Sequence, residues 1–203
     1  MESDPAMTSE LEAVFGFIRE TEKLKDVMRV NPVPTGERKE NSAEHTFTLA
    51  LMTVVFRDVV GDIPFDSERA LKMALIHDLV EIDAGDTFAY DAEANKDKAE
   101  RERKAADRIF GLLPGALGAE LRELWDEFEE ETTPTARYVA SLDRIHPMMQ
   151  HLATEGVTWM EKGITAPMMR RRFALVGETS RDLGDWVESQ IRMSVDKGWV
   201  RAE

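Results

Sequence analysis

The chain has 203 residues, no cysteine and a formal net charge of −14. That length fills one ordinary hydrophobic core, and the charge opposes binding to nucleic-acid polymers or anionic membranes. The missing thiols exclude a disulfide framework, a thiolate nucleophile and Cys-ligated zinc. No apolar run approaches the roughly 20 residues of a membrane helix, and the acidic start Met1-Glu2-Ser3-Asp4-Pro5 is unlike a secretory signal. One domain over 1–203 with a cytoplasmic address is expected.

Residues 1–8 are expected to fray before Ser9-Glu10-Leu11-Glu12, a capping box. A long amphipathic helix then runs to about Met28, with Leu11, Val14, Phe15, Ile18, Leu24, Val27 and Met28 as its apolar stripe. Asn31-Pro32-Val33-Pro34-Thr35-Gly36 breaks it into a loop. Arg29, Arg38 and Lys39 lie nearby, and such a cluster can hold a small anion, because salt screens the distant acidic field beyond about 8 Å.

Asn41 or Ser42 caps the next helix, with Glu44 placed for a capping box and Phe47, Leu51, Val54 and Val55 as its core stripe. His45 falls in the first turn, where the positive end of the helix dipole favours a neutral imidazole, the form a metal binds. Gly61-Asp62-Ile63-Pro64 turns the chain, and Asp66 or Ser67 starts a helix with Ala70, Leu71, Ala74 and Leu75 at helical spacing. On the same helix His77 and Glu81 fall one turn apart with Asp78 beside them, Gly85 reads as a left-handed stop, and Asp86 lies just beyond. Unpaired burial of such groups is costly, and a divalent cation would satisfy them. A core histidine held by one hydrogen bond would explain His77 alone.

The charged run Lys96 to Lys104 needs no more than a solvated helix face. Pro114-Gly115 precedes a helix marked by Leu117, Leu121, Leu124, Trp125 and Phe128. Thr133-Pro134 starts another, on which Ala136, Val139, Ala140 and Asp143 share a side and Pro147 should kink the axis at Asp143. A buried ion pair with Arg144 is the plain alternative for Asp143. His146 and His151 read as surface or packing residues. From Thr165 one or two long helices are expected as a C-terminal extension over 165–203, with Gly177 and Gly184 as breaks. No alternating strand pattern is visible, so the fold class is all-α, a bundle of about six to eight helices.

With His45, His77-Asp78 and Asp143 in hand, the chain resembles the HD-domain metal-dependent phosphohydrolases. Glu44-His45, His77-Asp78-Leu79-Val80-Glu81 and Gly85-Asp86 look most like the 5′-deoxynucleotidase branch. The resemblance implies a helical bundle holding one divalent ion, Mn²⁺, Co²⁺, Fe²⁺ or Zn²⁺, on His45, His77, Asp78 and Asp143. Glu81 and Asp86 match acidic residues beside the metal-bound water that attacks the phosphate. Arg29 matches a phosphate-holding arginine, helped by Arg38. The implied substrate is a small phosphorylated molecule, a (deoxy)nucleoside 5′-monophosphate, and the implied assembly a homodimer, for which Trp186, Trp199 and the 96–104 helix offer surface. Val30 stands where a bacterial relative has tryptophan, leaving ribose versus deoxyribose open. Hydrolysis of another phosphate ester, and a non-catalytic helical binding module stabilised by its metal, are the alternatives.

Overall fold

The structure, a computed structural model, describes residues 5–60 and 63–203. Helix α1 spans Pro5–Thr21, so it starts ahead of the expected box at Ser9 and stops well before Met28. Residues 1–4 of the expected frayed end, and Gly61-Asp62 of the expected turn, lie outside the described residues. A 3₁₀ segment, Glu22–Asp26, leads into strand β1, Met28–Pro32, which pairs antiparallel with β2, Lys39–Asn41. This hairpin replaces the expected helix end and open loop. Strands of five and three residues are too short to print an alternating pattern, and Pro32 and Pro34 forbid helix there. The hairpin turns Arg29, Asn31 and Glu40 into the interior.

Asn41 caps α2, Ser42–Val55: its side chain accepts from the Glu44 amide while the Glu44 carboxylate accepts from the Asn41 amide. The buried face of α2 is His45, Thr46, Leu49, Met52 and Thr53. The expected core stripe is outside instead, with Phe47 70% and Val54 57% exposed, and Leu51 and Val55 exposed beside them. Leu11, Phe15 and Ile18 of α1 are exposed too. Both faces of α2 are rich in apolar groups, so periodicity alone could not tell which one packs on α3 and α7.

Helix α3, Ser67–Ile76, is capped by Asp66. It does not continue through Glu81 as a regular helix: His77–Val80 is a 3₁₀ turn, and only then does α4, Glu81–Ala84, follow. Gly85 ends it at φ +73° and ψ 153°, a positive-φ stop outside the left-handed helical region, open to glycine at little cost. Next come α5, Lys98–Phe110, and α6, Gly115–Glu130. The central α7, Pro134–Ala153, is capped by Thr133 and runs unbroken past Pro147. The chain closes with α8, Val157–Lys162, α9, Ala166–Arg172, α10, Ala174–Thr179, and α11, Arg181–Asp196.

The all-α expectation holds. The described helices outnumber the expected six to eight because one-turn and two-turn pieces interrupt the long ones. Gly177 and Gly184 let α10 and α11 touch: a Cβ on Gly184 would stand 2.6 Å from the Gly177 Cα. Tyr138, Val139, Leu142, Ile145 and Met148 of α7 form the middle of the core. No described helix is long and apolar enough to cross a membrane.

Candidate metal centre

Three elements deliver polar side chains to one buried point. The first turn of α2 supplies His45, the 3₁₀ turn after α3 supplies His77 and Asp78, and the middle of α7 supplies Asp143. His45 Nε2 lies 2.9 Å from Asp143 Oδ1 and 3.8 Å from Asp78 Oδ2. His77 Nε2 lies 3.1 Å from Asp78 Oδ1 and 3.8 Å from Asp143 Oδ1. The two imidazole centroids are 5.4 Å apart. One ligand atom each from His45, His77 and Asp143 fits within 4.8 Å of the others, as a shared ion requires.

The tautomers suit a cation. His77 Nδ1 sits 2.9 Å from the Ala74 carbonyl, which can only accept, so Nδ1 carries the proton and Nε2 presents its lone pair. That Nε2 is buried and has no hydrogen-bond partner despite its nearness to Asp78. An orphaned nitrogen facing carboxylates is what a divalent ion would satisfy, and two imidazoles with two carboxylates suit a first-row ion.

Around this point lie the other acids. Arg29 Nη1 donates to Asp78 Oδ2 at 2.8 Å and stands 3.8 Å from Glu81 and 3.6 Å from Asp86, while its Nε is 3.8 Å from Glu40. Ser42 Oγ donates to Glu81 Oε2 at 2.6 Å. Arg29, His45, His77, Asp78, Glu81, Asp86 and Asp143 thus lie together in one cluster. Arg38 is not part of it: its guanidinium is exposed and clamps Glu44 at 2.7 and 2.8 Å. Nor does Arg144 pair with Asp143, since it binds Glu131 at 2.6 Å.

Crowding sorts the charges. Burial and the nearby Arg29 hold His45 below its ordinary value, hence neutral. Burial also pulls His77 down, but Asp78 and Asp143 outweigh it and lift the imidazole to about 9, and a divalent ion at Nε2 would displace that second proton. Against burial, His77 and Arg29 hold Asp78 well below the usual carboxylate range. Asp143 is held low against burial by its 2.9 Å contact with His45 and by the charge of His77. Glu81 goes the other way, pushed well up by burial and by Asp78, and burial raises Asp86 against the pull of Arg29. Burial lowers Arg29, but Asp78, Glu81 and Asp86 raise it further, so its charge is permanent.

Sequence reasoning missed a second layer. His146 is not on the surface but buried and stacked on His45, with ring centroids 4.9 Å apart and Nδ1 to Nδ1 2.9 Å. Its Nε2 is 3.7 Å from Glu40 Oε1, which also accepts from the Gln150 amide. The signal was present as helical spacing, because Asp143, His146 and Gln150 share one face of α7. His151 is likewise buried, packed on Trp159.

A pocket opens off the cluster at Arg29 and Asp86. The loop Thr87 to Tyr90 forms one wall, the α7 residues Arg144, Met148 and His151 another, and Trp159, Arg172 and Phe173 close it.

A helical bundle that gathers two histidines and two aspartates from three helical segments, beside a polar pocket, defines a protein built to hold a divalent ion. The sequence pattern of the HD domain matches residues 21–178, and the chain belongs to that family. It is 33% identical over 135 residues to the 5′-deoxynucleotidase HDDC2 of Mus musculus, an alignment spanning 66% of this chain and 66% of that protein, just under two thirds of its length. It is 24% identical over 193 residues to the 5′-deoxynucleotidase hdd1 of Schizosaccharomyces pombe, covering 93% of this chain and 87% of that one. Its fold matches the crystal structure of a predicted metal-dependent phosphohydrolase from Magnetospirillum magnetotacticum, with 38% identity, TM-score 0.91, and 97% of this chain covered against 98% of that one.

Proposed function

We propose that the chain is a metal-dependent phosphohydrolase that removes phosphate from (deoxy)nucleoside 5′-monophosphates, with His45, His77, Asp78 and Asp143 as ligands of one divalent ion. The observation that carries this reading is the orphaned, buried Nε2 of His77 among two carboxylates and a second imidazole, in a cluster that Arg29 and Asp86 join to the pocket. The names of the mouse and fission yeast relatives supply the substrate class. When bound, the ion polarises a phosphoryl oxygen and makes hydroxide available from water near neutral pH.

The chain's own residues do the rest. Glu81, pushed well above the usual carboxylate range by burial and by Asp78, is suited to give a proton to the departing 5′-oxygen. Ser42 Oγ fixes that carboxyl by donating to Glu81 Oε2 at 2.6 Å. Asp86, at the pocket edge and less strongly raised, is placed to accept a proton from the attacking water. Arg29 keeps the acids from repelling the incoming phosphate. Phe88 and Tyr90 offer flat apolar surface to a nucleobase.

The protein also pairs with a second copy of itself. Phe47, Leu51, Val54, Val55 and Val59 recur on one exposed side of α2 and its continuation, with Leu11, Phe15 and Ile18 of α1 also exposed. Exposed apolar groups in such number mark a protein interface rather than a solvated face. Release of inorganic phosphate from a panel of ribo- and deoxyribonucleoside 5′-monophosphates, with Mn²⁺ or Co²⁺ added, tests the activity. No turnover of any of them by metal-loaded protein would leave a binding module as the better reading.

A further inference from the structure

Three guanidinium groups line the pocket: Arg29, Arg144 and Arg172. Arg29 stands within 3.8 Å of Glu40, Asp78, Glu81 and Asp86, so its charge is already matched by the chain. Arg144 donates to Glu131 at 2.6 Å and to the Ala140 carbonyl at 2.9 Å. Arg172, the last residue of α9, is half-buried, lines the pocket and makes no hydrogen bond or ion pair among the described residues.

We propose that Arg172 is the group in this pocket that binds the phosphate of the substrate. A half-buried guanidinium that lines a pocket and meets no anion of the chain keeps its five donors and its charge available to a ligand. The end of a short helix lends Arg172 some negative potential but no acceptor within reach. Its surroundings also disfavour the cation: burial comes first, and Arg144 adds repulsion. A neutral base carbonyl would meet the donors and leave the charge, whereas a phosphate meets both and can be gripped bidentately. The Asn31 side-chain amide, 6% exposed and with its nitrogen unpartnered, lines the same pocket and offers a further donor. Arg172 lines the same pocket as Arg29, which donates to Asp78 of the proposed metal centre.

The inference rests on the phosphohydrolase reading, and binding of inorganic phosphate separates the two. The full chain loaded with Mn²⁺ is titrated with inorganic phosphate by calorimetry, and with thymidine as the unphosphorylated control. Arg172→Met should weaken phosphate binding about 10- to 100-fold, the value of one or two charge-assisted hydrogen bonds, and leave thymidine binding unchanged. Arg172→Lys should recover part of the loss. Should Arg172→Met melt early by circular dichroism, Arg172→Gln keeps a donor without the charge and serves instead. Phosphate affinity within twofold of the wild type in the Met or Gln variant overturns the assignment, as does a wild type that binds no phosphate. An equal loss of thymidine binding also overturns it, making Arg172 a reader of the base. Arg172-dependent phosphate binding in a protein that hydrolyses no nucleotide supports Arg172 and removes the nucleotidase reading.

Discussion

His146 Nδ1 stands 2.9 Å from His45 Nδ1, with the rings stacked. Of two facing nitrogens only one can carry the proton. Burial and His45 push His146 down to about 3, so it stays neutral, and with its Nε2 turned toward Glu40 its Nδ1 is free to accept. His45 then donates through Nδ1 and leaves the lone pair of Nε2 facing Asp143, an arrangement that a cation shared by the two would satisfy.

Replacing His146 with leucine removes that acceptor and leaves a buried N–H unpaired. Affinity for Mn²⁺ should fall about 10- to 100-fold in His146→Leu, as for other partners that orient a ligand imidazole. Calorimetric titration of metal-free protein reads this directly. An unchanged affinity would mean that α2 alone fixes His45.

The ligand assignment predicts about one divalent ion per chain in wild type and a marked loss in His77→Ala and Asp143→Ala, read by elemental analysis. Chelation should also lower the melting temperature, since binding to the folded chain alone stabilises it by mass action. Full metal content in both variants would break the assignment.

Glu81→Gln and Asp86→Asn should keep the metal while slowing nucleoside monophosphate hydrolysis by about 10² to 10⁴, the usual cost of removing a positioned proton-transfer group. Ser42→Ala should do less, because it loosens Glu81 without removing its carboxyl. Steady-state kinetics with metal content measured alongside decides this. Wild-type rates in both carboxamide variants would rule the two acids out of the chemistry.

Glu40 gives stability a pH dependence of predictable sign. Burial, only partly offset by Arg29 and Gln150, raises its pKa from 4.5 to about 7. Between those values the folded chain holds a proton that the unfolded chain has released, so stability falls as pH rises through the window and is level above it. The slope from this group is at most about 1.4 kcal/mol per pH unit. Urea melts from pH 4.5 to 7.5 should show a shallower decline in Glu40→Gln than in wild type.

Self-association through α2 predicts a dimer by light scattering at tens of micromolar, a working concentration for ordinary protein affinities. Phe47→Asp and Val55→Asp place a charge on the exposed stripe and should give monomer with the helical spectrum retained. A monomeric wild type would remove the proposal.

Local chemistry was legible in the chain itself. Asn41, Asp66 and Thr133 cap the helices they were expected to cap, because each such cap is an exchange within four residues. The spacing of His77, Asp78, Glu81 and Asp86 disclosed a polar cluster, and the resemblance joined His45 and Asp143 to it. Tertiary structure alone decided which apolar face of α2 turns inward, since Phe47 and Leu49 are equally apolar and only the packing of α3 and α7 tells them apart. It alone folded Met28–Pro32 back on Lys39–Asn41 and so set Arg29 among four carboxylates, leaving Arg38 outside on Glu44. It alone brought Glu40, His146 and the unmatched guanidinium of Arg172 toward a site whose sequence signals end at Asp143. Caps and helical periods are written in neighbouring residues, whereas a charge finds its partner only when segments a hundred residues apart exclude water together.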